Sequence, residues 1–259
     1  MKFLVNLLLC VIFLSNIEAD TFGEDFFKIT NSASKKQEFI KRMIPLVKQT
    51  NDNVLAERKI VEEFFIAFKK NKSLEDIDNN TVEQMKNLAK KYYIKSITNE
   101  KLFKSKVAPV PLSLAIAQAA IETGWGNSRF FKEAKNAFGE WTYSKTSGLV
   151  PSNREEGKTH RIKVFKTVQA SVDSYVLNLN RHNAYSDFRD LRVILGEEFN
   201  GILATSKMLN YSQTREKYVE LLRNIMLSNK LTKYDVIDSA PKTEIVSADS
   251  QSDLAFNAK

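Results

Sequence analysis

The sequence predicts a mainly α-helical protein with a small β element, for three reasons. Only eight glycines and five prolines occur among its 259 residues, which disfavours both a turn-rich β-sandwich and a glycine-loop nucleotide fold. Apolar residues recur at three- and four-residue steps over long stretches, as they do in amphipathic helices. A composition of 43% hydrophobic and 27% charged residues is that of an ordinary globular protein, neither disordered nor polytopic.

Residues 1–19 have the pattern of a secretory signal peptide. Lys2 precedes a run over residues 3–14 that is apolar except for Asn6 and is shorter than the roughly 20 residues of a membrane-spanning helix. Cleavage after Ala19 would follow a small residue, as signal peptidases require. We therefore expect export to the periplasm or the extracellular space, with no stable membrane span after cleavage. An uncleaved N-terminal anchor is the alternative.

Cleavage would also limit the chemistry open to the mature chain. It removes Cys10, the only cysteine, so we expect neither a disulfide nor a thiolate. With only His160 and His182 present, a histidine-rich metal site and a Ser-His-Asp triad are poorly supported, and we expect no metal and no cofactor. The net charge of +8 comes mainly from dispersed lysines. It is compatible with an anionic polymer, while no basic stripe interleaved with aromatics indicates nucleic acid.

Residues 20–106 are predicted to form an N-terminal helical flank. Pro45 is expected to kink or end the first of its helices. Thr81 and Gln84 have the spacing of a capping box and predict the start of a third helix. The flank carries no pattern that indicates chemistry, so we expect its apolar stripes to pack on the following domain. The stripes of the first two helices are Phe39, Ile40, Met43, Ile44 and Val47, then Val61, Phe64, Phe65 and Phe68.

A second domain is predicted over residues 107–230. Its boundary contains Pro109 and Pro111, which disfavour helix before them, and the next helix, residues 112–123, is apolar nearly all round and should be buried. Gly124 then ends it. Residues 140–166 are rich in turn formers and end in an alternating stretch, which predicts a loop or hairpin that ends in a short strand. Helical spacing returns over residues 168–179, 188–195 and 215–227, and residues 231–259 form a polar tail of a composition typical of disorder.

Glu122 is the candidate catalytic residue because it ends the apolar helix. Gln118 lies one turn back on the same face, and Trp125 follows three residues later. A carboxyl group held against apolar surface keeps its proton, since desolvation disfavours the charged form. Such a group can protonate a leaving oxygen, which is the general-acid role in glycoside cleavage. The alternative is that Glu122 caps the helix end or pairs with a cation such as Arg129.

The segment around Glu122 resembles a known family. The run AAIETGWGNSRF over residues 119–130, followed by NAFG at 136–139 and Trp141, is similar to the signature of family 73 glycoside hydrolases, bacterial N-acetylglucosaminidases that cut peptidoglycan. The similarity is to the Bax-type branch and covers roughly residues 36–228. Further matching positions are Arg154-Glu155-Glu156-Gly157, Phe165, Ser171, Tyr175, Leu179, His182, Tyr185 and Arg189.

This resemblance implies a lysozyme-like α+β fold, in which a helical lobe and a small β-hairpin lobe enclose a glycan groove. Glu122 matches the catalytic acid of the family, and Tyr185 matches a tyrosine near the cleavage point. The second carboxylate of many members lies in the β-lobe, where Glu156 is preferred over Glu155 because it directly precedes a glycine. Two adjacent strand residues face opposite ways, so only one of them can point into the groove. The 2-acetamido group of the substrate is the alternative nucleophile.

Aromatic side chains near Glu122 are candidates for stacking on sugar rings. Trp125, Phe138 and Trp141 are predicted to contact the glycan, although Phe138 alternatively belongs to the core. Asn136 is expected to anchor the lobe junction through backbone hydrogen bonds.

The resemblance implies a peptidoglycan hydrolase that cleaves the β-1,4 bond after N-acetylglucosamine. A lytic transglycosylase that relies on one glutamate, or a non-catalytic wall-binding protein, are the alternatives. The oligomeric state is left open.

Overall fold

A computed structural model describes residues 21–144, 146–151, 159–209, 211 and 214–235. Within these residues, helices pack around one continuous hydrophobic core, beside a short antiparallel sheet. The α-helices and strands, in chain order, are α1 (Glu24–Phe27), α2 (Ser32–Asn71), α3 (Asn79–Lys91), α4 (Glu100–Lys106), α5 (Leu112–Thr123), α6 (Arg129–Ala134), β1 (Trp141–Thr142), β2 (Arg161–Ile162), α7 (Val168–Arg181), α8 (Ser186–Leu195), α9 (Gly201–Ala204) and α10 (Glu216–Ser228). Short 3-10 helices lie at Asn183–Tyr185, Gly196–Glu198, Thr205–Lys207 and Leu231–Tyr234.

Helix α2 is 40 residues long and is the longest helix of the N-terminal flank. Of the two effects expected of Pro45, a kink or an end, the end is wrong, because the helix continues through that position. A proline inside a helix costs about 3 kcal/mol. Met43 and Val47, on either side of Pro45, are fully buried, and burying such side chains stabilises by about 1.5–3 kcal/mol each. Packing of the apolar stripe therefore outweighs the lost backbone hydrogen bond.

Helix α3 begins three residues earlier than its sequence pattern predicts. Its N-cap is Asp78, whose carboxylate accepts hydrogen bonds from the backbone N–H of Thr81 at 2.9 Å and from its hydroxyl at 3.2 Å. The predicted capping box of Thr81 and Gln84 is therefore wrong. Aspartate is among the preferred N-cap residues, and here Asp78 accepts from the N–H of Thr81, which therefore lies inside the first turn.

Helix α5 lies in the centre of the fold, as its apolar composition predicts. Residues 114–119 are fully buried, and the helix packs against α2, α9 and α10. Its four alanines leave little side-chain volume, so neighbouring helices can approach closely on several sides. Gly124 follows in the left-handed conformation, with φ of +56°, and ends the helix as expected. The helix is thus a rigid central rod whose last turn carries Glu122.

The predicted hairpin is confirmed in the described residues. Strand β1 pairs antiparallel with β2, so that Trp141 lies opposite Ile162, and Leu149 forms an additional bridge to Ile162. Residues 145 and 152–158, which include Glu155 and Glu156, lie outside the described part of the chain. The sheet lies directly after the NAFG segment and so places a small β element beside the end of α5.

The fold continues past the boundary predicted at residue 230. Leu231 is fully buried, and the side chain of Asp235 accepts hydrogen bonds from the backbone N–H groups of Ser113 and Gly201, both at 2.8 Å. The prediction that the polar tail starts at residue 231 is therefore wrong. Asp235 is attached to the fold because its carboxylate accepts from N–H groups at the N-termini of α5 and α9, which would otherwise lack an acceptor. Residues 236–259 and 1–20, including the predicted signal peptide, lie outside the described part.

The described residues include no helix that combines the length and the apolar character needed to cross a bilayer. The same part of the chain shows mainly helical lobes with one small sheet, which is the α+β lysozyme-like class expected from the sequence.

Candidate active site

The turn after α5 is held by local hydrogen bonds and unusual backbone conformations. Gly124, Trp125 and Gly126 have φ values of +56°, +60° and +80°. The hydroxyl of Thr123 donates to the carbonyl of Ala119 at 2.6 Å and accepts from the N–H of Gly126 at 2.8 Å. Three successive left-handed residues turn the chain sharply away from the helix. This turn keeps the segment after α5 from continuing over the side chain of Glu122.

Gly126 also forms a contact between the turn and the N-terminal flank. A Cβ atom at this position would lie 2.6 Å from the ring of Phe26, closer than real contacts allow. Phe26 is fully buried and packs edge-to-face on Phe22, with ring centroids 4.8 Å apart. The flank, in which sequence analysis found no chemistry, therefore supports the turn beside the candidate catalytic residue.

Glu122 is half-buried on the last turn of α5, and Tyr218 is its hydrogen-bond partner. The hydroxyl of Tyr218 donates to Oε1 of Glu122 at 3.1 Å. Burial raises the pKa of Glu122, and the hydrogen bond from Tyr218 lowers it by less, so the pKa lies above its ordinary value. Arg129 instead contacts Glu133 at 4.0 Å and the carbonyl of Val150 at 3.2 Å. The structure therefore does not place Glu122 in the ion pair with Arg129 that the sequence left open.

Gln118 orients Tyr218 from behind. Its Oε1 accepts from the hydroxyl of Tyr175 at 2.5 Å, and its Nε2 donates to the hydroxyl oxygen of Tyr218 at 3.1 Å. Because this oxygen already accepts from Gln118, its own proton is directed to Glu122. Gln118 is fully buried, so it lies beneath the candidate site rather than on its surface. Its contact with substrate stays a prediction, while in this structure its side chain is linked to Glu122 through Tyr218.

Four tyrosines, which we call the tyrosine cluster, extend from Glu122 across the helical lobe: Tyr175, Tyr185, Tyr211 and Tyr218. Tyr211 stacks on Tyr218 with centroids 5.6 Å apart, and its hydroxyl donates to the carbonyl of Phe138 at 3.2 Å. Tyr185 lies 6.3 Å from Tyr211, measured between ring centroids. Burial, and secondly the charge of Glu140, raise the pKa of Tyr185. The cluster brings together residues that are far apart in the chain.

Tyr211 and Tyr218 are site residues that sequence reasoning missed. Tyr218 begins a stripe that continues with Leu222 and Met226 at four-residue steps, and all three are buried. Such a stripe indicates a core helix, and only the hydroxyl distinguishes its first member. A buried tyrosine hydroxyl needs a hydrogen-bond partner, so a tyrosine on this apolar stripe indicates that Tyr218 faces a polar group.

The predicted sugar-stacking residues have different environments. Trp141 is 53% exposed on β1 and stacks on the imidazole of His160, with centroids 4.2 Å apart. Phe138 is only 3% exposed and stacks on Tyr175 at 3.8 Å, which favours the alternative that it belongs to the core. Trp125 is half-buried and packs edge-to-face on Phe39 at 5.9 Å. Trp141 therefore presents the accessible aromatic surface among these three.

Asn136 anchors the junction between the lobes, as its position before the NAFG glycine predicts. Its Nδ2 donates to the carbonyls of Glu140 and Lys163, both at 2.9 Å. Its Oδ1 accepts from the backbone N–H groups of Phe138 and Glu140, at 3.3 and 3.0 Å. Four hydrogen bonds from one buried amide hold the loop between α6 and β1 in a single conformation. Gly139 lies in this loop, and a Cβ atom there would come within 3.3 Å of Oε2 of Glu122.

A desolvated carboxyl group at the end of a central helix, beside a small sheet with an exposed tryptophan, is the arrangement expected of a lysozyme-like glycoside hydrolase. No group of three or more His, Cys, Asp or Glu side chains with metal-binding geometry occurs in the described parts of the chain.

Comparisons with known proteins identify the family. The family model described as mannosyl-glycoprotein endo-beta-N-acetylglucosaminidase matches residues 101–231, which is half of the chain. The chain therefore belongs to this glucosaminidase family, family 73 of the glycoside hydrolases. A curated relative, Protein bax of Escherichia coli (strain K12), is 27% identical over 202 residues, which cover 75% of this chain and 69% of the relative. This similarity supports the Bax-type branch. No solved structure matches the chain significantly.

Proposed function

We propose that the protein is an exported peptidoglycan hydrolase that cleaves the β-1,4 bond after N-acetylglucosamine, with Glu122 as the general acid. The observation that carries this proposal is the half-buried carboxyl group of Glu122, whose pKa is raised by desolvation and whose hydrogen-bond partner is the neutral hydroxyl of Tyr218. A carboxyl group that retains its proton toward neutral pH can give it to the glycosidic oxygen as the bond breaks.

The hydrogen bonds around Glu122 indicate which oxygen carries the proton. Oε1 accepts the hydrogen bond from Tyr218, so the acid proton resides on Oε2. Oε2 faces the backbone of Gly139, where the absence of a side chain leaves room for a substrate oxygen. After the proton has left, the hydrogen bond from Tyr218 stabilises the carboxylate that forms. The hydroxyl of Tyr218 thus favours proton donation without taking the proton itself.

The second half of the reaction needs a nucleophile on the opposite face of the sugar. We retain Glu156 as the candidate base that activates water, with Glu155 and the 2-acetamido group of the substrate as alternatives. An inverting mechanism would place the two carboxyl groups about 6.5–9.5 Å apart. Tyr185, which is buried and lies across the tyrosine cluster from Glu122, is suited to orient the sugar or the water.

Substrate binding is assigned to the exposed face of the small sheet and to the turn after α5. Trp141 offers a flat apolar surface to one sugar ring, and Trp125 is available beside the turn. The net charge of +8 favours association with an anionic wall polymer. Export through the predicted signal peptide at residues 1–19 brings the protein to that polymer, in the periplasm or outside the cell.

The decisive experiment compares Glu122→Gln with the wild-type protein on purified sacculi. We expect the variant to release no muropeptides, while its thermal unfolding changes little, because glutamine can still accept the hydrogen bond from Tyr218. Glu133→Gln is the matched control, since Glu133 is exposed on the neighbouring helix α6 and should retain full activity. An active Glu122→Gln variant would refute the assignment.

Product analysis by mass spectrometry separates the alternative activities. A glucosaminidase leaves reducing N-acetylglucosamine ends, whereas a lytic transglycosylase leaves anhydro-muramyl ends. Binding to sacculi without any turnover between pH 4 and 8 would indicate a wall-binding protein that kept the fold.

A further inference from the structure

A cavity of about 130 Å³ lies between the N-terminal flank and the turn that follows α5. The flank contributes the loop before α2 and the first residues of that helix, and the turn contributes Trp125 and Asn127. A single water molecule needs about 10–15 Å³ of such volume, so the cavity admits a larger polar group. Its lining includes two lysines and three hydroxyl or amide side chains: Lys35, Lys36, Thr30, Ser32 and Asn127. Among the described residues that line it, none is acidic.

Lys36 is the lysine of this cavity that a ligand can reach. It is half-buried, and its Nζ lies over the ring of Trp125, 5.3 Å from the ring centroid. This contact holds the ammonium group against the turn but does not neutralise it, because the face of an aromatic ring carries only partial negative charge. The carboxylates of this part of the flank pair with other cations: Glu24 with Lys28, Asp25 with Arg42, and Glu38 with Arg42 and Lys41.

Lys35 adds a second positive charge to the wall of the cavity. It is only 4% exposed, and its Nζ donates to the carbonyl of Phe26 at 2.8 Å. Burial lowers the pKa of Lys35, and the charges of Lys132 and Arg42 lower it further. Water molecules can hydrogen-bond to an ammonium group, but only an anion balances its charge. A cavity with this lining is therefore suited to an anionic group of a ligand.

The position of the cavity connects it to the substrate of the proposed hydrolase. Trp125 follows Glu122 by three residues, so their Cα atoms lie within about 11 Å of each other, at roughly 3.8 Å per residue. The muramic acid units of peptidoglycan, which alternate with N-acetylglucosamine, carry peptides with free carboxylate groups. Three extended peptide residues span about 10 Å. A carboxylate of such a peptide can therefore reach the cavity while the glycan lies at Glu122.

We propose that the cavity binds a carboxylate of the peptide attached to the glycan, with Lys36 as its ion-pair partner. This inference rests on the proposed function of the site. The ammonium group of Lys36 donates to the carboxylate, and the hydroxyls of Thr30 and Ser32 offer further donors. The charge of Lys35 adds to the attraction. The protein then favours peptide-bearing strands over strands without peptides, while proton transfer stays with Glu122.

The test compares solubilised glycan strands that carry intact peptides with strands from which an amidase has removed the peptides. Lys36→Gln should lower kcat/KM about tenfold on the peptide-bearing strands, the lower end of the effect of losing a hydrogen bond to a charged group. On peptide-free strands it should stay within twofold of wild type. Lys36→Arg keeps the charge and should restore most of the activity. Lys59→Gln is the matched control, since Lys59 is exposed on the same helix and its loss changes the net charge equally.

A binding measurement tests the ligand group without any change at Lys36. In the Glu122→Gln variant, calorimetry compares a disaccharide peptide with free carboxylates to the same compound with its carboxylates amidated. We expect the free acid to bind about tenfold more tightly at low ionic strength, and adding Lys36→Gln should reduce this difference to less than twofold. Equal affinities for the two ligands would refute the proposal, even if Lys36→Gln proved unstable.

The outcomes separate this inference from the proposed function. If Lys36→Gln lowers kcat/KM equally on both kinds of strand, Lys36 supports the turn and does not bind the peptide, and the general acid stands. If Glu122→Gln stays active while Lys36→Gln loses activity only on peptide-bearing strands, the peptide site stands and the assignment of the acid fails. If the wild-type protein neither binds nor cleaves glycan, both proposals fail.

Discussion

Replacing Tyr218 with phenylalanine should move the alkaline limit of activity to higher pH. In the proposed mechanism Glu122 works as general acid only while it is protonated, so activity should fall as the pH rises through the pKa of Glu122. Burial raises this pKa, and the hydrogen bond from Tyr218 to Oε1 counteracts part of the rise by stabilising the carboxylate. Tyr218→Phe removes only the counteracting contribution. The pKa of Glu122 should therefore increase further.

The size of the change follows from the strength of the hydrogen bond. Hydrogen bonds to charged groups contribute about 1.5–3 kcal/mol, and the lower end applies because Glu122 is only half-buried. At 1.36 kcal/mol for each pKa unit, the alkaline limb should move up by about one pH unit. The same substitution leaves Nε2 of Gln118 without its acceptor, which should lower the free energy of unfolding by about 1–2 kcal/mol.

The assay is the pH dependence of kcat/KM on solubilised glycan strands, together with urea unfolding of each variant. Tyr211→Phe is the matched control: it removes a hydroxyl from the same cluster, but this hydroxyl donates to the carbonyl of Phe138 and not to Glu122. Its alkaline limb should coincide with that of the wild type. An unchanged limb in Tyr218→Phe, or a shift to lower pH, would refute the account of how the pKa of Glu122 is set.

Three further results are expected. Gly126→Ala should lower the free energy of unfolding by about 2–4 kcal/mol in urea titrations, because its Cβ would clash with the buried ring of Phe26. Gly124→Ala should lower it by only about 1 kcal/mol, because the space there is open and only the φ of +56° is unfavourable. Equal losses in the two variants would contradict the packing argument. Trp141→Ala should raise KM for glycan strands, while its free energy of unfolding changes by less than about 0.5 kcal/mol. Phe138→Ala should lower the free energy of unfolding by about 3–5 kcal/mol. A larger loss of stability in Trp141→Ala than in Phe138→Ala would contradict the burial of these two rings. Burial raises the pKa of Glu122 above its ordinary 4.5, so the folded protein holds this proton more tightly than the unfolded chain does. The stability of the wild type should therefore fall relative to that of Glu122→Gln as the pH rises from about 4.5 through the raised pKa. A difference in thermal unfolding that stays constant over this pH range would contradict the desolvation of Glu122.

The N-terminal flank has a larger part in the site than its sequence indicates. Phe22 and Phe26 are fully buried, and Phe26 lies where a side chain at Gly126 would lie. The apolar stripes of this region predicted that it packs on the second domain, and the structure confirms a continuous core. The periodicity of the flank does not predict which part of the second domain it contacts, because periodicity shows only that a helix face is buried and not what covers it.

Local features of the site were predictable because they depend on residues close together in the chain. The apolar composition of α5 predicts its burial, Gly124 predicts its end, and the position of Glu122 between them predicts a desolvated carboxyl group; the structure agrees with each. The start of α3 was predicted wrongly because Asp78 and Thr81 both suit a helix N-terminus, and composition does not decide between them.

The sequence by itself therefore determined the helical class, the buried rod of α5 and the acid at its end, since helix patterns and glycine turns are short-range properties. Only the tertiary structure decided what surrounds that acid. Tyr218 lies 96 residues from Glu122 in the chain, and Ser174 lies 34 residues from Glu140, so neither contact leaves a signal in local spacing. Hydrogen bonds of this kind form only after the helices have packed, and they set the proton affinity of Glu122 and the position of the Glu140 carboxylate.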